Sequence, residues 1–232
     1  MRAPISVVIP TLNAAETLPM CLGSLGEGLE AGIIRELVIS DGGSEDATRE
    51  IAEAAGATLV EGRPGRGGQV ARGIVASEGV WLLVLHADTV LARGWASAAQ
   101  THMTRGKAKA GHFMLRFDAI GLAARFVSGW ANLRAKVFGL PYGDQALLVS
   151  AALLAEVGGY PDLPLMEDVA LARQLKGKLA AMPAIARTSA EKYETKGWFR
   201  QGAKNLWLLA RYYCGADPET LAQSYRQSGH SS

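Results

Sequence analysis

Short apolar segments alternate with helical patterns along the first hundred residues. Nearly continuous runs of Val, Ile and Leu predict four strands that are covered on both faces, at 5–9, 36–40, 57–61 and 81–85. Apolar residues at helical spacing predict helices between them, at 14–29, 45–55 and 67–77. Strands that alternate with helices favour an α/β fold built on a parallel sheet with right-handed crossovers.

The pattern becomes less regular after a further predicted helix at about 92–104. Strands are predicted at 111–117, 145–150 and 184–188, and helices at 120–138, 167–175 and 197–214. No low-complexity linker and no internal repeat separates these elements. We therefore expect a single domain over 1–232, with a first half at 1–105, a second half at 106–190 and a C-terminal helical extension at 191–232.

The composition is that of a folded chain with a sizeable core, since 49% of the residues are hydrophobic and 20% are charged. A net charge of +2 without a dense basic block argues against nucleic acid as a partner. Cys21 and Cys214 form neither a disulfide framework nor a zinc pattern, so we expect a reduced, cytoplasmic setting. The longest apolar run, 80–85, is far shorter than the ~20 residues of a membrane-spanning helix, which predicts a protein that is soluble or at most peripheral.

Ligands of parallel sheets bind beyond the carboxyl ends of the strands. Here four segments follow the first four strands, namely 10–13, 41–44, 62–68 and 86–89. Asp41 could accept hydrogen bonds from a ribose or a base, or it could form an Asx turn that caps the next helix. Asn13 could likewise be a plain N-cap, and Ser44 is a candidate N-cap of the second helix.

The segment after the third strand, in GRPGRGGQVARG, combines glycines with Arg63, Arg66 and Arg72. Glycines permit close approach of the backbone, and arginine side chains suit phosphate oxygens near a helix N-terminus. The run lacks the ending of a P-loop and the third glycine of G-x-G-x-x-G. A flexible turn with solvated arginines therefore stays open as the alternative.

The fourth strand ends in His86-Ala87-Asp88. Asp88 is a hard oxygen ligand suited to Mg²⁺ or Mn²⁺, or alternatively the cap of the next helix with His86 partly buried and neutral. The sequence H-A-D-T-V imitates the D-x-D-x-[TV] motif of phosphatases with an aspartyl nucleophile. That class is excluded because His86 occupies the nucleophile position and the strand is the fourth, not the first.

Glu167 and Asp168 follow Pro164 at the start of a predicted helix. Acidic residues are favoured there by the helix dipole alone. The functional alternative is that one carboxylate faces a cleft and accepts a proton from a substrate hydroxyl.

The order of these motifs is more specific than any one of them. IPTLNAAETL, SDGGSEDAT, the basic glycine-rich stretch, VLHADT and MEDVAL together resemble the inverting family 2 glycosyltransferases of the GT-A fold. The HADT, YGDQ and LPLMEDVALARQL segments resemble a small bacterial branch of that family. The resemblance implies a Rossmann-like, mostly parallel sheet with helices on both faces, in which 1–105 binds a nucleotide-diphosphate sugar and 106–190 binds the acceptor and carries the catalytic residues.

The resemblance also implies roles for single residues. Asp168 would be the general base with Glu167 as helper, Asp88 would bind a divalent metal, Mn²⁺ or Mg²⁺, and Asp144 and Gln145 would contact the acceptor. The nucleotide sugar would be bound by eight residues: Pro10, Thr11, Asn13, Asp41, Arg66, Gln69, Arg72 and His86. Three positions depart from the family pattern, because His86 replaces the first acid of D-x-D, Gly42 replaces a second acid after Asp41, and Ala14 replaces a glutamate.

The helix predicted at 197–214 has an apolar stripe and a basic face. The stripe consists of Phe199, Ala203, Leu206, Ala210 and Tyr213, and the other face carries Arg200, Lys204, Trp207 and Arg211. Packing on the core is one interpretation. Docking on anionic lipid, which would present a lipid-linked acceptor, and contact with a second copy in a homodimer are the alternatives.

Two other functions compete with sugar transfer. A nucleotidyltransferase would make such donors, but the G-x-G-x-R loop expected after the first strand is missing. A nucleotide-sugar-binding protein with weak or lost activity is favoured by His86 and Ala14, and disfavoured by the retention of Asp88 and Asp168.

Overall fold

The computed structural model describes residues 2–227, which contain one eight-stranded sheet. Its order is β3-β2-β1-β4-β7-β6-β8-β5. The strands are β1 (Ile5–Thr11), β2 (Ile34–Asp41), β3 (Thr58–Glu61), β4 (Trp81–Val84), β5 (Thr89–Leu91), β6 (Ala110–Phe117), β7 (Leu147–Ser150) and β8 (Leu179–Thr188).

The first four strands are parallel to one another, as predicted. β7 then runs antiparallel to both β4 and β6, whereas β6 and β8 are parallel and β5 pairs antiparallel with β8. The α/β prediction is confirmed, and the second half makes the sheet mixed. Since β1 and β2 end in register at Thr11 and Asp41, the loops that follow them lie side by side.

Helices cover both faces of the sheet. They are α1 (Leu18–Gly23), α2 (Gly26–Glu30), α3 (Thr48–Ala54), α4 (Arg66–Val75), α5 (Trp95–Thr104), α6 (Leu122–Phe138), α7 (Ala151–Glu156), α8 (Glu167–Gln174), α9 (Glu191–Lys196), α10 (Trp198–Tyr213) and α11 (Pro218–Gln227). One apolar cluster joins β1 to α1 and α5 through Ile9, Leu18 and Trp95. A second joins β4 and β7 to α7 and α8 through Leu82, Leu154 and Leu171.

Two predicted helices differ from the structure: the first is divided in two, and the second begins later than expected. The helix predicted at 14–29 is two short helices, because Pro19 sets the start of α1 at Leu18 and the chain turns between Gly23 and Gly26. The prediction that Ser44 is the N-cap of the second helix is wrong. Its hydroxyl donates to Asp41 at 2.6 Å, so α3 begins only at Thr48, with Ala47 at the N-cap position.

Of the three interpretations of the apolar stripe on α10, packing on the core is wrong. Phe199 is 72% exposed and Leu206 44% exposed, whereas α10 buries Gln201 and Leu208. α6 shows the same inversion, because it buries Ala124, Ala131, Arg134 and Ala135 and leaves large apolar side chains outside. Within residues 2–227, no helix is both long and apolar enough to cross a membrane.

Candidate functional site

A cleft of about 670 Å³ lies beyond the carboxyl ends of β1 and β4. Most residues predicted to bind the nucleotide sugar or its metal line this cleft: Pro10, Thr11, Asn13, Arg66, Gln69, His86 and Asp88. A second cavity of about 180 Å³ shares Arg66, His86 and Asp88 with the cleft and has Glu167, Asp168 and Asp144 in its wall. The fold thus brings the separate motifs of the sequence to two adjoining cavities.

Asp41 lies beneath the cleft, not in its wall. Its side chain is fully buried and accepts hydrogen bonds from Thr11 Oγ1, Ser44 Oγ and the backbone N–H groups of Gly43 and Ser44, at 2.6–2.9 Å. Burial alone would raise the pKa of Asp41, but these four donors lower it below the usual value. The structure therefore corrects the predicted nucleotide contact, since both oxygens are occupied by the Asx-type turn considered as the alternative.

Asn13 ties the loop after β1 to the loop after β2. Its Oδ1 accepts from the Glu45 N–H at 2.8 Å, and its own N–H donates to Ser44 Oγ at 2.8 Å. Asn13 is not the N-cap of α1, because Thr17 holds that position. These bonds and the carboxylate of Asp41 make one rigid floor for the cleft.

The glycines at the start of α4 serve close packing between two segments of the chain. A Cβ on Gly67 would lie 2.4 Å from Pro161 O and 2.5 Å from Leu163 O, and a Cβ on Gly68 would lie 2.6 Å from Asp162 Oδ1. The Gly67 N–H donates to Leu163 O. Here the glycines bring α4 against the loop that leads into α8, so that Arg66 reaches Glu167.

The side chains of Gln69 and Arg72 mainly form hydrogen bonds with backbone groups. Gln69 Nε2 donates to Thr11 O and Ser40 O, and its Oε1 accepts from the Gly65 N–H. Arg72 donates to Arg63 O at 3.0 Å and lies against Gly62, outside the walls of both cavities. The structure thus brings Arg66 and Gln69 to the cleft and leaves Arg72 behind the turn that precedes α4.

We expect Gly67→Ala to lower the free energy of unfolding by about 1–3 kcal/mol, because the new methyl group would overlap backbone oxygens that cannot rotate away. Urea unfolding followed by circular dichroism measures this change. Gly129→Ala in α6 is the matched control, because an added Cβ there meets nothing within 4 Å and alanine favours helix. Equal stability of wild type and Gly67→Ala would contradict the packing role.

His86 and Asp88 follow β4 in the turn that leads to β5. Both side chains are half-buried and line both cavities. The His86 ring lies against Gly143, where an added Cβ would be 2.4 Å from its Nε2. Asp88 does not cap a helix, since β5 follows it and α5 starts only at Trp95. The structure thus places an imidazole and a carboxylate where the cleft meets the second cavity.

Glu167 and Asp168 start α8 and have different surroundings. Glu167 is 2% exposed and lies 3.8 Å from Arg66 Nε, and burial with the neighbouring charge of Asp168 raises its pKa to about 7. Asp168 accepts hydrogen bonds from the Gly143 N–H at 2.8 Å and from the Val169 N–H at 2.7 Å. These two bonds fix the orientation of a half-buried carboxylate in the wall of the second cavity.

The two predicted acceptor residues separate in the structure. Gln145 is fully buried and donates to Phe113 O and Asn132 Oδ1, so its predicted acceptor contact is not available. Asp144 lines the second cavity, and burial raises the pKa of its carboxyl group to about 6. Its Oδ1 is buried without a hydrogen-bond partner.

Backbone strain accompanies these segments. Within the described part of the chain, three residues other than glycine have φ in the left-handed region: Asn13, Ala146 and Met166. Asn13 and Met166 line the cavities, and Ala146 directly follows Gln145. Strained residues cluster at binding and catalytic sites, where surrounding contacts hold them in place. Met166 matters most here, because it precedes Glu167 and Asp168.

The sequence analysis missed the residues that close the site from the C-terminal side. Ser189, Tyr193 and Asn205 line the second cavity, and Tyr225 of α11 lines both cavities. The signal available for α11 was Pro218 with Glu219 at a helix start, but no sequence motif placed that helix over the cleft.

Comparisons with known proteins connect the chain to one enzyme family. A family model described as "Glycosyl transferase family 2" matches residues 6–130, more than half of the chain. The chain is 40% identical over 99 residues to the PGL/p-HBAD biosynthesis glycosyltransferase of Mycobacterium tuberculosis, covering 39% of this chain and 38% of that protein. It is 34% identical over 95 residues to the glucosyl-3-phosphoglycerate synthase of Mycolicibacterium paratuberculosis, covering 37% and 29%. The aligned part is thus well under half the length of each relative.

Solved structures show the same fold at low sequence identity. S. aureus TarS 1-349 in complex with UDP-GlcNAc has a TM-score of 0.59 at 16% identity, covering 80% of this chain and 58% of that one. Mycobacterium tuberculosis glucosyl-3-phosphoglycerate synthase in complex with Mn²⁺ and UDP-glucose has a TM-score of 0.56 at 21% identity, covering 80% and 69%. These likenesses assign the mixed α/β fold of GT-A glycosyltransferases to the chain.

Proposed function

The chain belongs to glycosyl transferase family 2, and on this basis we propose that it transfers a sugar from a nucleotide-diphosphate donor to an acceptor hydroxyl, with inversion. The observation that carries the proposal is the pair of adjoining cavities, one at the strand ends and one at Asp168. Residues 1–105 would bind the donor, and residues 106–190 would provide the acceptor side and the base.

The cleft suits the donor nucleotide. Its wall holds the loop after β1, with Thr11 and Asn13, and Arg66 at the first turn of α4. The guanidinium group of Arg66 is half-exposed and can pair with diphosphate oxygens. UDP sugars occupy two of the similar structures, so UDP-glucose and UDP-N-acetylglucosamine are the first donors to test.

A divalent metal fits the cleft only together with the donor. Among the described residues, no group of three or more His, Cys, Asp or Glu side chains could hold a metal ion alone. Asp88 would supply one carboxylate, and diphosphate oxygens and water would complete the shell, as is common for Mg²⁺ and Mn²⁺ beside nucleotides. When bound, such a metal offsets the negative charge of the departing diphosphate.

Asp168 is the group best placed to remove the acceptor proton. Two backbone N–H groups hold its carboxylate at the cavity wall, and a fixed carboxylate within reach of a hydroxyl can act as general base. Glu167 is a weaker candidate, because it is buried against Arg66. With Asp168 as the base, the transfer would be a single displacement, which inverts the anomeric carbon, as the resemblance to the inverting family 2 enzymes implies.

We expect one class of nucleotide sugar to bind at least about tenfold more tightly with Mn²⁺, equivalent to ~1.4 kcal/mol. Asp88→Ala should abolish this gain, because it removes the carboxylate that would hold the metal. Calorimetry with UDP-, GDP- and dTDP-sugars, with and without Mn²⁺, measures both effects. Arg72→Gln is the control, since Arg72 lies outside the cleft wall and should keep the gain.

Each outcome has a definite meaning. If donor affinity changed neither with Mn²⁺ nor with the Asp88→Ala substitution, the metal assignment would be overturned. Binding of a donor without release of nucleotide in the presence of any acceptor would instead indicate a nucleotide-sugar-binding protein. Formation of a nucleotide sugar from a nucleoside triphosphate and a sugar phosphate would identify a nucleotidyltransferase.

A further inference from the structure

α6 and α10 expose large apolar side chains toward each other. On α6, Phe126 is 66% exposed and Trp130 43% exposed, and on α10 Phe199 is 72% exposed. The rings of Phe126 and Phe199 lie 6.4 Å apart. The two helices thus touch through this ring pair, and their apolar faces border a groove.

This groove has a volume of about 470 Å³ and a mostly apolar wall. Ala131 and Trp130 line it on one side, and Phe199, Ala203 and Leu206 on the other. Three of the five residues of the apolar stripe predicted on α10 thus face the groove instead of the core. A monomeric protein rarely leaves such surface uncovered unless something binds there.

The groove adjoins the second cavity of the candidate site. Five residues line both: Phe117, Tyr142, Asp144, Tyr193 and Asn205. Because Asp168 lies in the wall of the second cavity, a ligand that fills the groove has one end directed toward the candidate base.

Two unsatisfied polar atoms belong to residues of the groove wall. Asp144 Oδ1 and Arg134 Nη2 are both buried without a hydrogen-bond partner. Arg134 lies over the Tyr142 ring, with its guanidinium carbon 3.3 Å from the ring centroid. One atom needs a donor and the other an acceptor. A hydroxyl group offers both, whereas a phosphate or carboxylate offers acceptors only and would meet the charge of Asp144.

We propose that the groove binds the acceptor of the reaction and that this acceptor is an amphipathic alcohol, with its apolar chain between α6 and α10. The proposal rests on the proposed sugar transfer and names its second substrate. In the reaction the hydroxyl turns from Asp144 to Asp168, its oxygen forms the bond to the anomeric carbon, the bond from that carbon to the diphosphate breaks, and the proton passes to Asp168.

Binding can be measured with 12-bromododecan-1-ol, since bromine quenches the fluorescence of tryptophan on contact. Trp130 and Trp198 line the groove, whereas Trp81 and Trp95 are buried in the core. We expect saturable quenching in the wild-type protein below the concentration at which the alcohol forms aggregates. We also expect 12-bromododecanoate to bind about tenfold more weakly, because its carboxylate faces Asp144.

Gly202→Leu should weaken binding of the alcohol about tenfold or more, because the new side chain fills space that the apolar chain of the alcohol needs. Gly202 lines the groove, and an added Cβ there meets nothing within 4 Å, so the fold can accept the change. Gly129→Leu is the matched control, since Gly129 is an exposed helical glycine outside the groove wall. The bromoalcohol should quench the fluorescence of Gly129→Leu as it does that of the wild type.

Equal quenching in Gly202→Leu, Gly129→Leu and the wild type would overturn the proposal and indicate unspecific partition onto exposed apolar surface. Tighter binding of the carboxylate than of the alcohol would overturn the assignment of a hydroxyl. Donor binding is measured separately, with UDP sugars and Mn²⁺. If the protein bound the alcohol saturably but bound no nucleotide sugar, the proposed sugar transfer would be contradicted and the alcohol site would stand. If it bound a nucleotide sugar but not the alcohol, only the alcohol site would be contradicted.

Discussion

Asp168→Asn should lower the rate of sugar transfer by about 10²–10⁴-fold, the contribution typical of a general base, while donor affinity stays within about twofold. Asparagine keeps the size of the side chain and an oxygen that can accept from Gly143, but it cannot take up the proton of the attacking hydroxyl. Release of UDP from UDP-glucose or UDP-N-acetylglucosamine with Mn²⁺ measures the rate, with water as the acceptor where no other is known. Calorimetry measures the donor affinity.

Glu156→Gln is the control for this substitution. Glu156 is an exposed carboxylate paired with Lys178 and does not line either cavity, so its neutralisation should leave transfer unchanged. If Asp168→Asn released UDP at the wild-type rate, Asp168 would not be the base. If it lost donor binding as well, its effect would be structural, acting through its hydrogen bond to Gly143.

The stereochemistry of the product tests the same residue in a second way. A single displacement with Asp168 as base gives a product of opposite anomeric configuration to the donor, which proton NMR detects before mutarotation. Retention of configuration would contradict inversion.

The sequence was sufficient to find the strands of the parallel half and the segments that border the cleft. Apolar runs such as that ending at Val84 are local signals, and the rule that ligands bind at the carboxyl ends of parallel strands selects the residues that follow. This rule predicted the positions of His86 and Asp88, whereas Asp168 was predicted from its place at a helix start and from the family resemblance.

The errors came from contacts that are distant in sequence. Three of the four hydrogen bonds to Asp41 come from the local turn that the sequence allowed as an alternative, and the fourth comes from Thr11 across 30 positions. Gln145 is buried by partners on β6 and α6. Packing of the α10 stripe on the core was one of three interpretations, based on the rule that an apolar face normally packs inward. The matching exposed face of α6 could not be recognised from either helix alone.

Asp41→Asn should lower the free energy of unfolding at pH 7 by about 2–4 kcal/mol, because hydrogen bonds to a buried charge are worth more than those to a neutral amide. The amide would direct N–H groups at donors of Thr11, Gly43 and Ser44 that now bind a carboxylate. Urea unfolding measures the loss. Donor affinity should fall too, since these residues support the floor of the cleft.

The pH dependence identifies the carboxylate as the cause. The hydrogen bonds lower the pKa of Asp41 in the folded protein, below the value of about 3.9 for an unperturbed aspartate. Its contribution is therefore fully present above that value and is lost as the pH falls through the folded pKa. The difference between wild type and Asp41→Asn should be constant from about pH 5 to 7 and shrink below about pH 4. The control Asp118→Asn alters an exposed carboxylate and should show no such pH-dependent difference in the free energy of unfolding. If the difference between wild type and Asp41→Asn increased as the pH fell, the role of the charged carboxylate would be contradicted.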